Sequence, residues 1–351
     1  MREDLIVLRP EGLFCEAGGF FIDPWRPVDR AIITHAHADH ARSGHRHYLA
    51  SEAGAHVLQS RLGSVSLQTL AWGEQITQGG VTVSLHPAGH ILGSAQVRVE
   101  RAGEVWVVSG DYKLERDRTC APFEPVRCHT FITESTFGLP VYRWQPDHEC
   151  VADVVSWWAQ NAERGQASVL LCYALGKAQR LLAGLSDAQA FLGPVVCHGA
   201  VETINAAYRS SGVELPATAD ASLWRRGRAD LALEDERAPL VLAPPSAAGT
   251  PWIKRFGEAS FAFASGWMRV RGARRRRAVD RGFVLSDHAD WPGLLSAIDA
   301  TGAERIIVTH GFEDAIVRHL RERGLSAQAL RTEFGGEDGA EERAASASTD
   351  A

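Results

Sequence analysis

The sequence predicts an α/β protein with two sheet-building regions, and three observations carry that prediction. Short apolar runs of strand length recur from the start of the chain, bounded by Gly, Pro and Asp, and several end directly in a histidine or an acidic residue. Stretches with helical patterning separate them, as at Ser51–Leu62 and Asp153–Arg164. From Phe191 to Phe263 strand-like runs alternate with helical or loop segments, which reads as a small α/β unit with its own sheet. At 351 residues the chain is long enough for two domains, or for one large domain carrying an insertion.

Residues 1 to about 110 read as β-rich with short turns. Gly18–Asp23 is a strand that stops at Pro24, and Asp23 is read either as a turn former or as a group near the site that follows. The apolar run Ala31–Ile33 leads straight into Thr34–His40, where His35, His37, Asp39 and His40 fall within six positions. Imidazoles and a carboxylate at the end of a buried strand are the donor set of a metal site. His35 and His37 are two apart, so an extended backbone points both rings the same way. Asp39 and His40 follow where the chain leaves the sheet and face a second point, so the cluster offers ligands for two ions. The bland alternative, a polar loop with chance histidines, does not account for this density of ligand types.

Ser51–Leu62 reads as a helix with a serine start and Gly63 as its stop. Val81–Leu85 alternates like a strand and runs into a loop holding His86 and His90. Gly89 permits close backbone approach beside His90, which makes His90 the chosen ligand. Val105–Val108 leads through Ser109 and Gly110 to Asp111. A carboxylate in that position can point both oxygens into a cleft, as bridging two cations requires. Glu134 lies at the end of a strand that starts at Phe131, either as a functional carboxylate or as a cap for the next segment. Two further strands end in histidines: Phe283–Leu285 before His288, and Ile306–Val308 before His310. Trp157 and Trp158 belong to the core side of the Asp153–Arg164 helix. Ser168–Cys172 is a strand, a helix opens at Ala174, and the residues after Gly335 read as a disordered tail.

Composition is that of a soluble globular protein, with 45% hydrophobic and 23% charged residues. The opening residues contain no signal-peptide core, and no apolar run is long enough to cross a bilayer. The six cysteines are scattered without a C-x-x-C pair, which fits reduced thiols in a cytoplasm better than a disulfide frame or a thiolate zinc site. The net charge of −6 argues against a nucleic-acid partner when taken alone. Charge placement argues the other way: from Arg269 to Arg281 seven arginines face a single acid, Asp280. Arg274, Arg275, Arg276 and Arg277 are therefore candidates for tracking a phosphate backbone, against the alternative of a solvated basic loop.

Together, His35, His37, Asp39 and His40, then His90, then Asp111, resemble the signature of the metallo-β-lactamase fold. That resemblance implies a four-layer αββα sandwich with metals at one edge of its two sheets. Glu134, His288 within Ser286–Asp290, and His310 within Thr309–Gly311 are similar to the further motifs of the β-CASP branch, nucleases with an extra α/β domain inserted into the lactamase fold. Tyr173–Lys177 resembles the segment that opens the insertion, and Lys177 joins the arginine run as a candidate nucleic-acid contact. The implied organisation is 1–170 for the first part of the lactamase-type domain, 171–280 for the insertion, 281–335 for the return, and 336–351 for the tail. Leu8–Cys15, Phe21–Trp25, Ala264–Met268 and Phe283–Trp291 resemble bacterial ligase-associated DNA exonucleases, which are related to the cross-link-repair nucleases. One departure is His310, where the cross-link-repair enzymes often have an apolar residue and the RNA-processing relatives a histidine. DNA as substrate thus rests on overall similarity.

The resemblance implies two divalent metal ions, zinc or manganese. His35, His37 and His90 would hold one; Asp39, His40 and His310 would hold the other, with Asp111 between them. His288 would be the acid for the leaving alkoxide, and Glu134 would hold its second ring nitrogen and favour its charged form. Asp39 is counted with the catalytic groups as well. The expected substrate is DNA, single-stranded or at ends, and the expected partners are a DNA ligase and helicase repair module, with no membrane. Three other readings stand beside this one: an RNA-processing nuclease, a small-molecule hydrolase, and a non-catalytic binding subunit. Trp267 and Trp291 are read either as base-stacking or as core residues.

Overall fold

A computed structural model describes residues 4–222, 224, 238–270 and 279–333. The chain divides into two compact units, with breaks after Arg143 and after Asp287. The first unit is therefore built from both ends of the chain. Among the described residues no helix is long and apolar enough to cross a membrane.

The first unit holds two sheets. One has six strands in chain order: β1 (Val7–Arg9), β2 (Gly12–Cys15), β3 (Phe20–Ile22), β4 (Arg30–Ile32), β5 (His47–Ser51) and β6 (Leu67–Leu70). The other is formed by β7 (Gln75–Gln78), β8 (Val81–Pro87), β9 (Ala95–Arg101), β10 (Glu104–Val108), β11 (Thr130–Ser135), β18 (Arg305–Gly311) and β19 (Ser326–Ala329), in the order β19-β18-β11-β10-β9-β8-β7. β7 to β10 pair antiparallel, whereas β10, β11, β18 and β19 run parallel.

The pleat of the seven-stranded sheet explains its two cores. Trp106, Val108, Ile132 and Ile307 share a cluster with Leu13, Ile22, Ile32 and Leu49 of the six-stranded sheet. The residues between them, Val107, Phe131, Ile306 and Val308, pack instead with Leu294 and Ile298 of α5 (Trp291–Thr301) and Ile316 and Leu320 of α6 (Glu313–Glu322). A strand buried on both faces reads as a continuous apolar run, as these do. The helix expected over Ser51–Leu62 forms as a short 3-10 turn, Glu52–Gly54, followed by α1 (Ala55–Leu62). The Ser51 hydroxyl caps it by accepting from Gly54 N, and Gly63 closes it at φ 72°.

The second unit has an all-parallel sheet, in the order β14-β13-β15-β12-β16-β17. Its strands are β12 (Ala167–Leu171), β13 (Val195–Cys197), β14 (Ala219–Asp220), β15 (Leu240–Ala243), β16 (Ala259–Ala264) and β17 (Arg281–Phe283). The helices α2 (Asp147–Ala162), α3 (Lys177–Asp187) and α4 (Gly199–Ser210) belong to it, and Trp157 and Trp158 lie in its core. These boundaries differ from the 171–280 expected from the sequence. β12 is an interior strand bonded to β15 and β16, so a division at 170/171 would cut through the sheet. β17 pairs with β16, so the unit also extends past residue 280.

Candidate metal centre

The cluster after β4 is not extended, as its alternation suggested. The chain turns at once, with both His40 N and Ala41 N donating to the His37 carbonyl. His35 and His37 nevertheless meet, edge to face, with ring centroids 4.9 Å apart. Asp23 holds the entry to this turn. Its Oδ1 accepts from Thr34 N at 2.7 Å, and its Oδ2 accepts from Thr34 Oγ1 at 2.6 Å and lies 2.7 Å from His40 Nδ1. Asp23 therefore serves both roles that the sequence left open. It shapes the strand end, at φ 43°, and it orients a ring of the cluster. Thr34 Oγ1 also lies 3.0 Å from His35 Nδ1. Each of these contacts engages Nδ1 and so presents the opposite nitrogen, Nε2, to the site.

His90 arrives on a tight loop after β8. Ser94 closes that loop by accepting from His90 N and Ile91 N through its hydroxyl. Gly89 has φ 74°, and a Cβ there would lie 2.2 Å from the Lys113 carbonyl oxygen. Only glycine lets the His90 loop approach the Asp111–Lys113 backbone this closely. His86 lies elsewhere, 3.1 Å from Ser84 Oγ and 3.6 Å from Glu124 Oε1.

Asp111 follows β10, and its Oδ2 is 3.4 Å from His35 Nε2, 3.5 Å from His40 Nε2 and 3.9 Å from His90 Nε2. Among the donor groups that could hold an ion, two are built on this cluster: His35, His37, His90 and Asp111 form one set, and Asp39, His40 and His310 the other. Asp111 lies within reach of rings from both.

His310 reaches its set through an irregularity between β11 and β18. Thr133 pairs with Val308, but Ser135 pairs with Gly311, so two residues of β18 stand opposite Glu134. The extra residue is accommodated at His310, whose φ is 58°, and a bulge of this kind re-aims a side chain. The Ser135 hydroxyl donates to the His310 carbonyl. The same irregularity places Glu134. Its Oε1 accepts from Tyr112 N at 2.8 Å, its Oε2 accepts from the Thr136 hydroxyl, and its carboxylate lies 2.9 and 3.1 Å from His288 Nδ1. Glu134 Oε2 also accepts from Thr136 N at 3.4 Å, so the carboxylate holds the start of the following segment as well as His288. His288 and His90 have ring centroids 4.6 Å apart.

These residues fit a bound cation. His35 Nε2 and both ring nitrogens of His310 are buried and make no hydrogen bond among the described residues. Each such group costs about 1–3 kcal/mol unless a partner satisfies it, and a cation satisfies a ring nitrogen that carries a lone pair. Burial and the neighbouring His40 hold His35 well below the usual imidazole range, in the neutral form that ligates. Burial opposes a charge on His40, but Asp111, Asp39 and Asp23 outweigh it and raise the group well above that range. Burial likewise opposes ionisation of Asp111, but His40 and His288 pull it well below the usual carboxylate range. Positive charge is favoured between these carboxylates. All donors are nitrogen or oxygen, a set that suits zinc and manganese alike.

Lys177 is a correction. Its side chain is fully buried, with Nζ 2.6 Å from Asp287 Oδ1, so its ammonium is spent on that pair and cannot follow a phosphate backbone. Arg274, Arg275, Arg276 and Arg277 lie outside the described residues, as does the tail 336–351. Trp291 is buried in the core beneath the seven-stranded sheet, and Trp267 packs against the core of the second unit. Thr34, Ser94 and Arg61 also meet the cluster or its loops, and nothing in their sequence context marks them. The first two hold ligand loops through short polar side chains, which carry no distinctive spacing.

No family model matches the chain. A protein named "Probable DNA ligase" from Opitutus terrae is 32% identical over 323 residues, which are 91% of this chain and 30% of that protein. Cleavage and polyadenylation specificity factor subunit 3 from Dictyostelium discoideum is 31% identical over 34% of this chain and 16% of its own length. A protein named endoribonuclease ysh1 from Aspergillus fumigatus is 32% identical over 34% of this chain and 14% of its own. The chain thus spans less than a third of the length of each of these relatives. Among solved structures, a protein of unknown function from Enterococcus faecalis shares the fold. Its TM-score is 0.55 at 12% identity, over 87% of this chain and 80% of that one.

Proposed function

We propose that this protein is a metal-dependent nuclease of the β-CASP branch of the metallo-β-lactamase fold, and that it hydrolyses DNA phosphodiester bonds at single strands or ends. The pairing of Glu134 with His288 beside the two ligand sets carries this reading. A small-molecule hydrolase of this fold has no need of that pair. The unit formed by residues 144–287 is read as the inserted domain of the branch, and the two sheets with their helices as its four-layer sandwich.

His35, His37, His90 and Asp111 would hold one divalent ion, and Asp39, His40 and His310 the other. Bound there, two ions supply a water-derived nucleophile and neutralise charge that grows on the phosphoryl oxygens. Asp111 sets the spacing of the two sets, and Asp23 and Thr34 fix ring orientation. Glu134 holds Nδ1 of His288, so the proton passed to the leaving oxygen is the one on Nε2. Asp39, slightly exposed and 3.8 Å from His40 Nε2, is counted with the catalytic groups as well as the ligands.

The DNA assignment is supported by the relative named as a ligase, which matches nearly the whole chain within a protein about three times longer. This chain would then prepare ends that a ligase seals. An RNA-processing reading is favoured by His310 and by the relatives named as endoribonucleases. The test is to incubate the chelator-stripped protein with end-labelled DNA and RNA strands of matched sequence, adding zinc or manganese. A ladder of shortened DNA is expected. Cleaved RNA beside intact DNA would overturn the DNA assignment, and turnover of neither would overturn the nuclease reading.

A further inference from the structure

Arg61 lies in the last turn of α1, a helix that contributes no ligand. Its Nη1 donates to the carbonyl oxygen of Ala36, the residue between His35 and His37. The guanidinium is largely buried; burial lowers its pKa, and Asp39 opposes that shift. A side chain from outside the cluster is thus hydrogen-bonded to the middle of the ligand turn and lies in the field of one of its carboxylates.

The other end of the same segment is tied to the second ligand loop. Ser51 Oγ accepts from Gly54 N at 3.2 Å and donates to the Gly93 carbonyl at 2.6 Å. Gly93 belongs to the loop that Ser94 closes around His90. The stretch from Ser51 to Leu62 therefore holds the His90 loop at its start and the His35–His37 turn at its end. A helical segment has a fixed rise per residue, so it acts as a spacer between the points it holds. Arginine suits the far end, because a cation is favoured in the last turn of a helix and its planar fork makes directed hydrogen bonds.

We propose that Arg61 is a positioning residue for the metal centre. Through the Ala36 carbonyl it holds His35 and His37 at the separation from His90 that one ion requires. This rests on the reading of these histidines as metal ligands. Partners one layer outside a metal site typically govern affinity by about 10–100-fold.

The test measures zinc affinity by competition with a chromophoric chelator, and the ligand-field spectrum of the cobalt-loaded protein, for the parent, Arg61→Met and Arg61→Lys. Arg61→Met is expected to lose about 10–100-fold in zinc affinity and to shift the cobalt bands. Its metal-free melting temperature should stay close to the parent's. Arg61→Lys, which restores a cationic donor, should recover part of the affinity. Parent-like zinc affinity and cobalt spectrum in folded Arg61→Met overturn the proposal. If that variant does not fold, Arg61→Ala, which also lacks a donor, is measured in its place, and parent-like values there overturn it equally. A parent protein that binds neither zinc nor cobalt removes the metal centre itself, an outcome distinct from failure of Arg61 alone.

Discussion

Glu134 and His288 are 154 residues apart in the chain, yet the carboxylate and the ring lie in hydrogen-bond contact at 2.9 Å, both buried. The intervening chain builds a separate compact unit before returning. If His288 is the acid, His288→Ala should keep its metals and lose ~10²–10⁴ of its rate. Glu134→Gln should lose rate in the same direction, because an amide cannot stabilise an imidazolium. Single-turnover cleavage with metal content measured in parallel checks both. Near-parental rates in His288→Ala would remove it from the mechanism.

Asp111 lies within 4 Å of rings from both ligand sets. Asp111→Asn is expected to lose bound metal and activity together, because the amide offers one neutral oxygen where a bridging carboxylate offers two. Elemental analysis of the purified variant is decisive: full occupancy of two ions would sink the bridging role.

Asp23 holds both Thr34 and His40 Nδ1. Asp23→Asn should lower metal affinity by about 10–100-fold while every direct ligand is retained. Competition with a chelator gives the number, and an unchanged affinity would make Asp23 a turn former alone.

Gly311 has φ 93°, and a Cβ there would stand 2.2 Å from the Ser135 carbonyl oxygen. Gly311→Ala should therefore cost more than ~1 kcal/mol of stability. It should also displace His310, so metal stoichiometry falls from two towards one. Urea unfolding and metal titration read the two effects separately. A stable variant with both ions bound would show that the irregularity in β18 is not needed to aim His310.

Much of this protein follows from local pattern. Strands of Val, Ile and Leu ending in His, Asp or Glu are visible in the sequence because a strand buried on both faces must be apolar throughout, and polarity returns where it reaches the edge. That pattern marks His35, His37, His40, Asp111 and His310 as candidate ligands, with His90 in the loop after its strand, and it also marks the helix capped by Ser51. The tertiary structure decided what depends on residues distant in sequence. The two-against-one pairing opposite Glu134 exists only because β18 docks on β11, and it is what turns His310. Arg61 meets Ala36 because α1 packs beside a turn 25 residues earlier in the chain. Lys177 is a candidate nucleic-acid contact by the segment it belongs to, and only the fold places Asp287 against it and removes both from solvent. Spacing in sequence reports which face of a strand or helix a side chain takes. Which partner waits there is set by loop closure and packing between elements, on which local pattern is silent.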